Sequence, residues 1–160
     1  MKKKGFTLIE MLIVIAVIGV LAIAVLSAIN PIEQMRKARD TRRRSNAAEL
    51  LNALERYYAT FEEYGVYSVS DGTNCSAAVP SGLVDSTDMA DLLSSNEVKQ
   101  EFVTRIGTTG NELYGAVDTL GGTELAIVCS QIESQANIEK YTGLPNHCTV
   151  ATLEYICLPE

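Results

Sequence analysis

A single carboxylate stands inside the apolar start of this 160-residue chain. Glu10 is the one charged residue between Phe6 and Ile29. Carrying a carboxylate into a bilayer costs about 2.5–3.5 kcal/mol at the centre of a helix and less near its end. A charge retained there points to a function and to a partner. The partner with fitting chemistry is a free α-amino group, which a cut between Gly5 and Phe6 would create. A cation and an anion buried together offset each other's desolvation better than either alone. An amine from a neighbouring copy would make the pair set the axial register between copies. The competing reading leaves Glu10 at the headgroup boundary, where it snorkels into water.

The other reactive side chains lie far from Glu10. Cys75, Cys129, Cys148 and Cys157 are spaced 54, 19 and 9 positions apart, all beyond the apolar segment. An even count in a small domain behind an export-type start reads as two disulfides in an oxidising compartment. Zinc sites favour tight Cys-x-x-Cys pairs, which are missing here. His147 is the lone histidine, in the turn-like stretch Pro145-Asn146-His147-Cys148, with no nucleophile motif beside it. Asp85, Asp88 and Asp91 lack the spacing of an EF-hand and read as helix-start and surface charges. No Gly-rich phosphate loop occurs. The expectation is therefore a non-enzymatic protein with no cofactor and no metal.

Charge is segregated along the chain. Arg36, Lys37, Arg39, Arg42, Arg43 and Arg44 crowd into nine positions. From Ser45 onward there are four basic residues against seventeen acidic ones. The net charge of −7 thus hides an apolar tail, a basic neck and an acidic head. An acidic head argues against wholesale nucleic-acid binding. The neck admits three readings: a solvated face touching lipid headgroups, complementarity with the acidic head of another copy, or contacts to DNA phosphates. No interleaved aromatics support the last.

These residues need elements to position them. Phe6 to Ile29 is 24 residues, about 36 Å as a helix. A bilayer core is about 30 Å thick, so the segment can span with some tilt. Lys2, Lys3 and Lys4 favour a cytoplasmic N-terminus, although the basic neck opposes that orientation. A secretory signal peptide is a rival reading, because Ala22-Ile23-Ala24 fits a small-x-small cleavage site. A plain uncleaved anchor is another. Pro31 should bend the helix. Beyond it Ala47, Leu50, Leu51, Leu54, Tyr57, Tyr58 and Phe61 form one apolar stripe. The helix is expected to run from near Phe6 to Tyr64, with Gly65 as its stop.

Gly5-Phe6-Thr7-Leu8-Ile9-Glu10, followed by the apolar run, closely resembles the leader junction of type IV pilins and type II secretion pseudopilins. The signature covers about the first 30 residues. The resemblance implies that a membrane aspartyl peptidase cuts after Gly5 and N-methylates Phe6. It also implies that Glu10 neutralises a neighbour's N-terminus during assembly. Many members carry Pro near the end of the apolar run, where this chain has Ser27. Any kink should shift toward Pro31.

The head should add an antiparallel sheet covering the stripe, an α+β architecture that the resemblance also implies. Asp71-Gly72-Thr73-Asn74 signals a turn. One or two short helices are expected over 87–106. A loop at Thr108-Thr109-Gly110-Asn111 is followed by strand-like runs over 112–117, 123–130 and 149–158, the first two joined at Leu120-Gly121-Gly122. In the last run Ala151, Leu153, Tyr155 and Cys157 form the better candidate core face. Of the three possible disulfide pairings, Cys129–Cys148 with Cys75–Cys157 is favoured, because it closes the long loop before the last strand. A Cys148–Cys157 pairing is the rival.

The chain thus divides into a leader (1–5), a transmembrane assembly helix (6–29) and an exported head (30–160). The function expected is a structural subunit of a type IV pilus-like filament. Its partners would be itself or related pilins, a prepilin peptidase, an assembly platform and membrane lipid before assembly. It would lie in the bacterial cytoplasmic membrane and then in an extracellular filament or periplasmic pseudopilus. The alternatives are a pseudopilin of a secretion or DNA-uptake system, and a monomeric membrane-anchored binding module.

Overall fold

The computed structural model describes residues 5–64, 84, 89–120, 123–150 and 152–159. The chain forms two units, Met1–Met35 and Arg36–Glu160.

The first unit is built on α1 (Leu8–Ala28), in which no residue is buried. Residues 5–32 are all exposed. The bend expected at Pro31 takes the form of a two-residue break. Ile29 is extended, at φ −104° and ψ 124°. Asn30 then caps the next helix: its Oδ1 accepts from Glu33 N at 3.2 Å. Pro31 sits at the first helical position of α2 (Pro31–Phe61), where its missing N–H costs nothing. Ser27, in the position the family often gives to proline, donates its hydroxyl to Ala24 O at 2.9 Å. Such back-bonding loosens a helix only slightly.

In the second unit α2 buries Asp40, Arg43, Asn46, Ala47, Leu50, Ala53, Leu54 and Tyr57. The spacing of three and four is that of one helix face. Leu51 and Tyr58 flank it half-buried, and Phe61 stays 49% exposed. Two short helices follow, α3 (Ala90–Ser94) and α4 (Gln100–Ile106), within the span where one or two were expected. Then come β1 (Leu113–Leu120), β2 (Thr123–Ile132), α5 (Gln135–Tyr141), β3 (His147–Val150) and β4 (Leu153–Leu158). The strands form one antiparallel sheet in the order β1-β2-β4-β3. Leu113, Val117, Ala126 and Val128 face the apolar stripe of α2, together with Phe102, Val103 and Ile106 of α4. The architecture is α+β: a long helical span with an apolar first part, and a four-stranded sheet packed on its later part.

Three expectations are corrected. The final run is not one strand over 149–158. It is a hairpin whose register closes Val150 on Leu153, with Thr152 at φ 78°. No Gly, Pro, Asn or Asp marks that turn, so strand-like residues run through it. The core face of the last strand also differs, because Leu153 is 43% exposed while Ile156 is buried beside Ile132 and Tyr141. Tyr155 and Cys157 are buried on the other side of β4 with Cys129 and Cys148. Both faces of β4 are therefore covered near its C-terminal end.

The third correction is the disulfide. Cys129 pairs with Cys157, not with Cys148. The strand order explains it: β4 lies between β2 and β3, which sets Cys129 directly across from Cys157. Cys148 sits one strand further, across from Tyr155, and is disulfide-bonded as well. Cys75 lies outside the described residues, as do Gly65, the turn at 71–74, Asp85, Asp88 and the Gly121-Gly122 link.

Candidate functional site

The first turn of α1 carries the residues with the sharpest chemical signature. Gly5 has open space around the position where a side chain would sit, and Phe6 is 75% exposed. The backbone on both sides of the Gly5–Phe6 bond is thus accessible. Thr7 is the N-cap, and its hydroxyl accepts from Glu10 N at 3.3 Å. Glu10 reaches back in return. Its Oε2 accepts from Thr7 N at 3.3 Å and from Thr7 Oγ1 at 3.2 Å. This is a capping box, which satisfies two of the backbone donors that a helix start leaves open. The signature Thr7-x-x-Glu10 was legible in the sequence, and the reading of Glu10 as an isolated charge missed it.

The capping box changes what Glu10 can do. Its carboxylate lies at the positive end of a 21-residue helix dipole. It is also held one residue from the amide of Phe6, the atom that a cut after Gly5 would turn into an amine. Among the described residues only Thr7 groups anchor it, through exposed hydrogen bonds. A stronger, charged partner can therefore draw it away, because charge-assisted bonds are roughly twice as strong as neutral ones.

The basic run is divided in its use. Arg43 is 2% exposed. It donates from Nε to Gly110 O at 2.6 Å and from a terminal nitrogen to Gln131 O at 3.3 Å, and it pairs with Glu133. Arg39 pairs with the same carboxylate at 2.6 Å. Asp40, also buried, accepts from Glu133 N at 2.9 Å, Ser134 N at 3.0 Å and Asn137 Nδ2 at 2.9 Å. Ser134 caps α5, so Asp40 ties that helix start to α2. Arg44 bonds the Tyr141 hydroxyl and stacks over its ring at 5.3 Å. Burial pushes the Glu133 carboxyl upward. Hydrogen bonds and charge from Arg43 and Arg39 outweigh that and hold it below its ordinary 4.5. Half of the neck is thus an internal clamp, which a charge run does not reveal in sequence. Arg36 and Arg42 are exposed, and Lys37 is half-buried.

The remaining candidates do not converge on α1 or on one another. His147 is nearly buried. Its Nε2 lies 2.9 Å from Glu154 Oε2, off the line a hydrogen bond requires. Asp91 sits in the first turn of α3. Among the described residues no three His, Cys, Asp or Glu side chains gather as metal ligands.

Residues 1–26 match the family described as the prokaryotic N-terminal methylation motif. This motif marks the prepilin family of type IV pilins and pseudopilins. The match covers the leader, the Gly5–Phe6 junction, Glu10 and most of α1. The chain as a whole matches no curated protein and no solved structure. The prepilin motif implies processing by a prepilin peptidase and subsequent assembly. Prepilin-family proteins are typically structural rather than enzymatic. In this chain α1 is long and apolar enough to cross a membrane, with a mean hydropathy of 3.0 over its most apolar window.

Proposed function

We propose that this chain is a structural subunit of a type IV pilus-like filament, cut after Gly5, methylated on Phe6 and polymerised through α1. The observation that carries the proposal is the pairing of the methylation motif with a 21-residue apolar helix in which no residue is buried among the described residues. Such a helix needs lipid or other helices around it. Before assembly it rests in the cytoplasmic membrane with the leader inside and the cysteine-bonded head outside. The peptidase creates an amine at Phe6, and Glu10 of an adjacent copy then takes that amine in place of Thr7. The exchange removes two unpaired charges from an apolar surrounding at one step. It also sets neighbouring copies about four residues, roughly 6 Å, apart along the helix. The subunit's work is mechanical and noncovalent, with no catalytic step of its own.

Mass spectrometry of the mature N-terminal peptide, taken from membrane and shed fractions, tests this. A peptide that begins at Phe6 and carries one added methyl group is the expected result. A start at Val25 would mean ordinary secretion of a soluble head. An intact Met1 would mean a plain anchor, and either result overturns the proposal.

A further inference from the structure

The clamp engages Arg39, Arg43 and Arg44 inside the subunit. Arg36, Lys37 and Arg42 make no ion pair or side-chain hydrogen bond among the described residues. Arg42 is exposed and lines an open groove of about 520 Å³ between α2 and α4, beside Gln100, Glu101, Thr104 and Arg105. Two charges share that groove with it. Arg105 is already held by Glu49 at 2.5 Å, and Glu101 is exposed. Arg42 is the cation left to meet a partner.

The far end of α2 has the opposite excess. Glu55, Glu62 and Glu63 are exposed and make no ion pair among the described residues. The last turn of α2 holds no basic residue. Carboxylates at a helix C-terminus oppose the helix dipole, so nothing local favours them there. Among the described residues α2 therefore carries an unpaired cation, Arg42, in its first half and an unpaired anion, Glu55, in its last third, with Glu62 and Glu63 just past its end.

Helix geometry sets how these ends can meet. At about 100° per residue, Arg42 and Glu55 lie about 140° apart around α2. They face nearly opposite ways, on either flank of the buried stripe. Two such patches cannot meet within one copy. Parallel copies that repeat side by side bring them together through a heterologous contact, the kind that builds open fibres. The axial shift required is about 20 Å for Glu55, and Glu62 lies just past the last residue of α2.

We propose that the acidic end of α2 in one copy docks against the Arg42 groove of a second copy of this chain. Glu55 and Glu62 supply the anions, and the shift along the helix is about 20 Å at Glu55. The inference rests on the filament reading and specifies which head surfaces meet within it.

The test is a charge swap in the full-length chain, expressed in cells that process and assemble it. Arg42→Glu alone and Glu55→Arg with Glu62→Arg should each lower the sheared-polymer fraction about tenfold, since like charges set against each other cost several kcal/mol. The chain carrying all three reversals should regain most of that loss. Membrane levels, cleavage at Phe6 and the Cys129–Cys157 bridge, unchanged in every variant, control for folding. A loss with Arg42→Glu that the acidic reversal neither reproduces nor repairs would mean that Arg42 meets lipid phosphate, and would overturn the docking. Wild-type levels of polymer from all variants would overturn it too, leaving the filament reading intact. Absence of polymer from the unaltered chain would remove the filament reading and the docking together.

Discussion

Between Leu8 and Ala28 no side chain is buried; between Asp40 and Tyr57 every turn of α2 buries at least one. The two helical segments share a chain and differ in where their packing partners lie. The second finds its own sheet and, at its polar positions, its own carboxylates. Among the described residues the first has its cap, Thr7 with Glu10, and no buried side chain. Helical stability comes mostly from burying a face. A segment with nothing to bury against is finished by a bilayer or by other copies. The comparison separates assembly determinants from folding determinants, and substitutions in the two segments should give different symptoms.

The largest expected effect is on assembly. Glu10→Ala should abolish polymer formation while leaving the thermal unfolding of the head unchanged, measured on the full chain in detergent. Efficient filaments from that variant would end the role given to Glu10. A drop in the head's unfolding temperature would blur the separation of the two segments.

Arg43→Ala should show the reverse pattern. Removing one partner of a buried ion pair costs about 3–5 kcal/mol; here the carbonyls of Gly110 and Gln131 lose their side-chain donor and Glu133 keeps only Arg39, so the loss should lie at the lower end of that range. Denaturant unfolding should register that loss. Polymer should fall only as far as the pool of folded subunit falls. A loss under 1 kcal/mol would place Arg43 among ordinary surface charges.

The smallest expected effect is a pH dependence confined to the head. Glu133 is held below its ordinary 4.5 in the folded state by Arg43 and Arg39. The folded state therefore binds its proton less readily than the unfolded one. The stabilisation is complete above about 4.5 and is lost as pH falls through the lowered folded value. Acid titration of the head's melting temperature should show this fall, and Glu133→Gln should flatten it. An unchanged acid limb in that variant would mean that other carboxylates govern the response.

The features read correctly from the sequence are those with local signals. The apolar run, the break by Pro31, the amphipathic stripe from Ala47 to Tyr57 and the hairpin of β1 and β2 depend on residues near one another in the chain. Thr7 and Glu10 were equally local, yet treating Glu10 as a lone charge hid the cap. The misread features were non-local. Arg43 looked like one of six solvated cations, because its acceptors lie 67 and 88 positions away at Gly110 and Gln131. The turn at Thr152 carries no turn residue. Helix α5 is seven residues long, and Ser134 with Asp40 holds its start.

The sequence alone carried the methylation motif, since the Gly5–Phe6 junction, the carboxylate of Glu10 and the apolar helix form one continuous stretch. It also determined that α2 would need a sheet. Only the tertiary structure decided which cysteines join, because pairing depends on strand order, and strand order is a property of the whole sheet. Only the tertiary structure divided the basic neck into a buried clamp and an open surface. A charge shows its sign in the sequence, whereas its worth depends on the carboxylates and carbonyls that folding brings beside it.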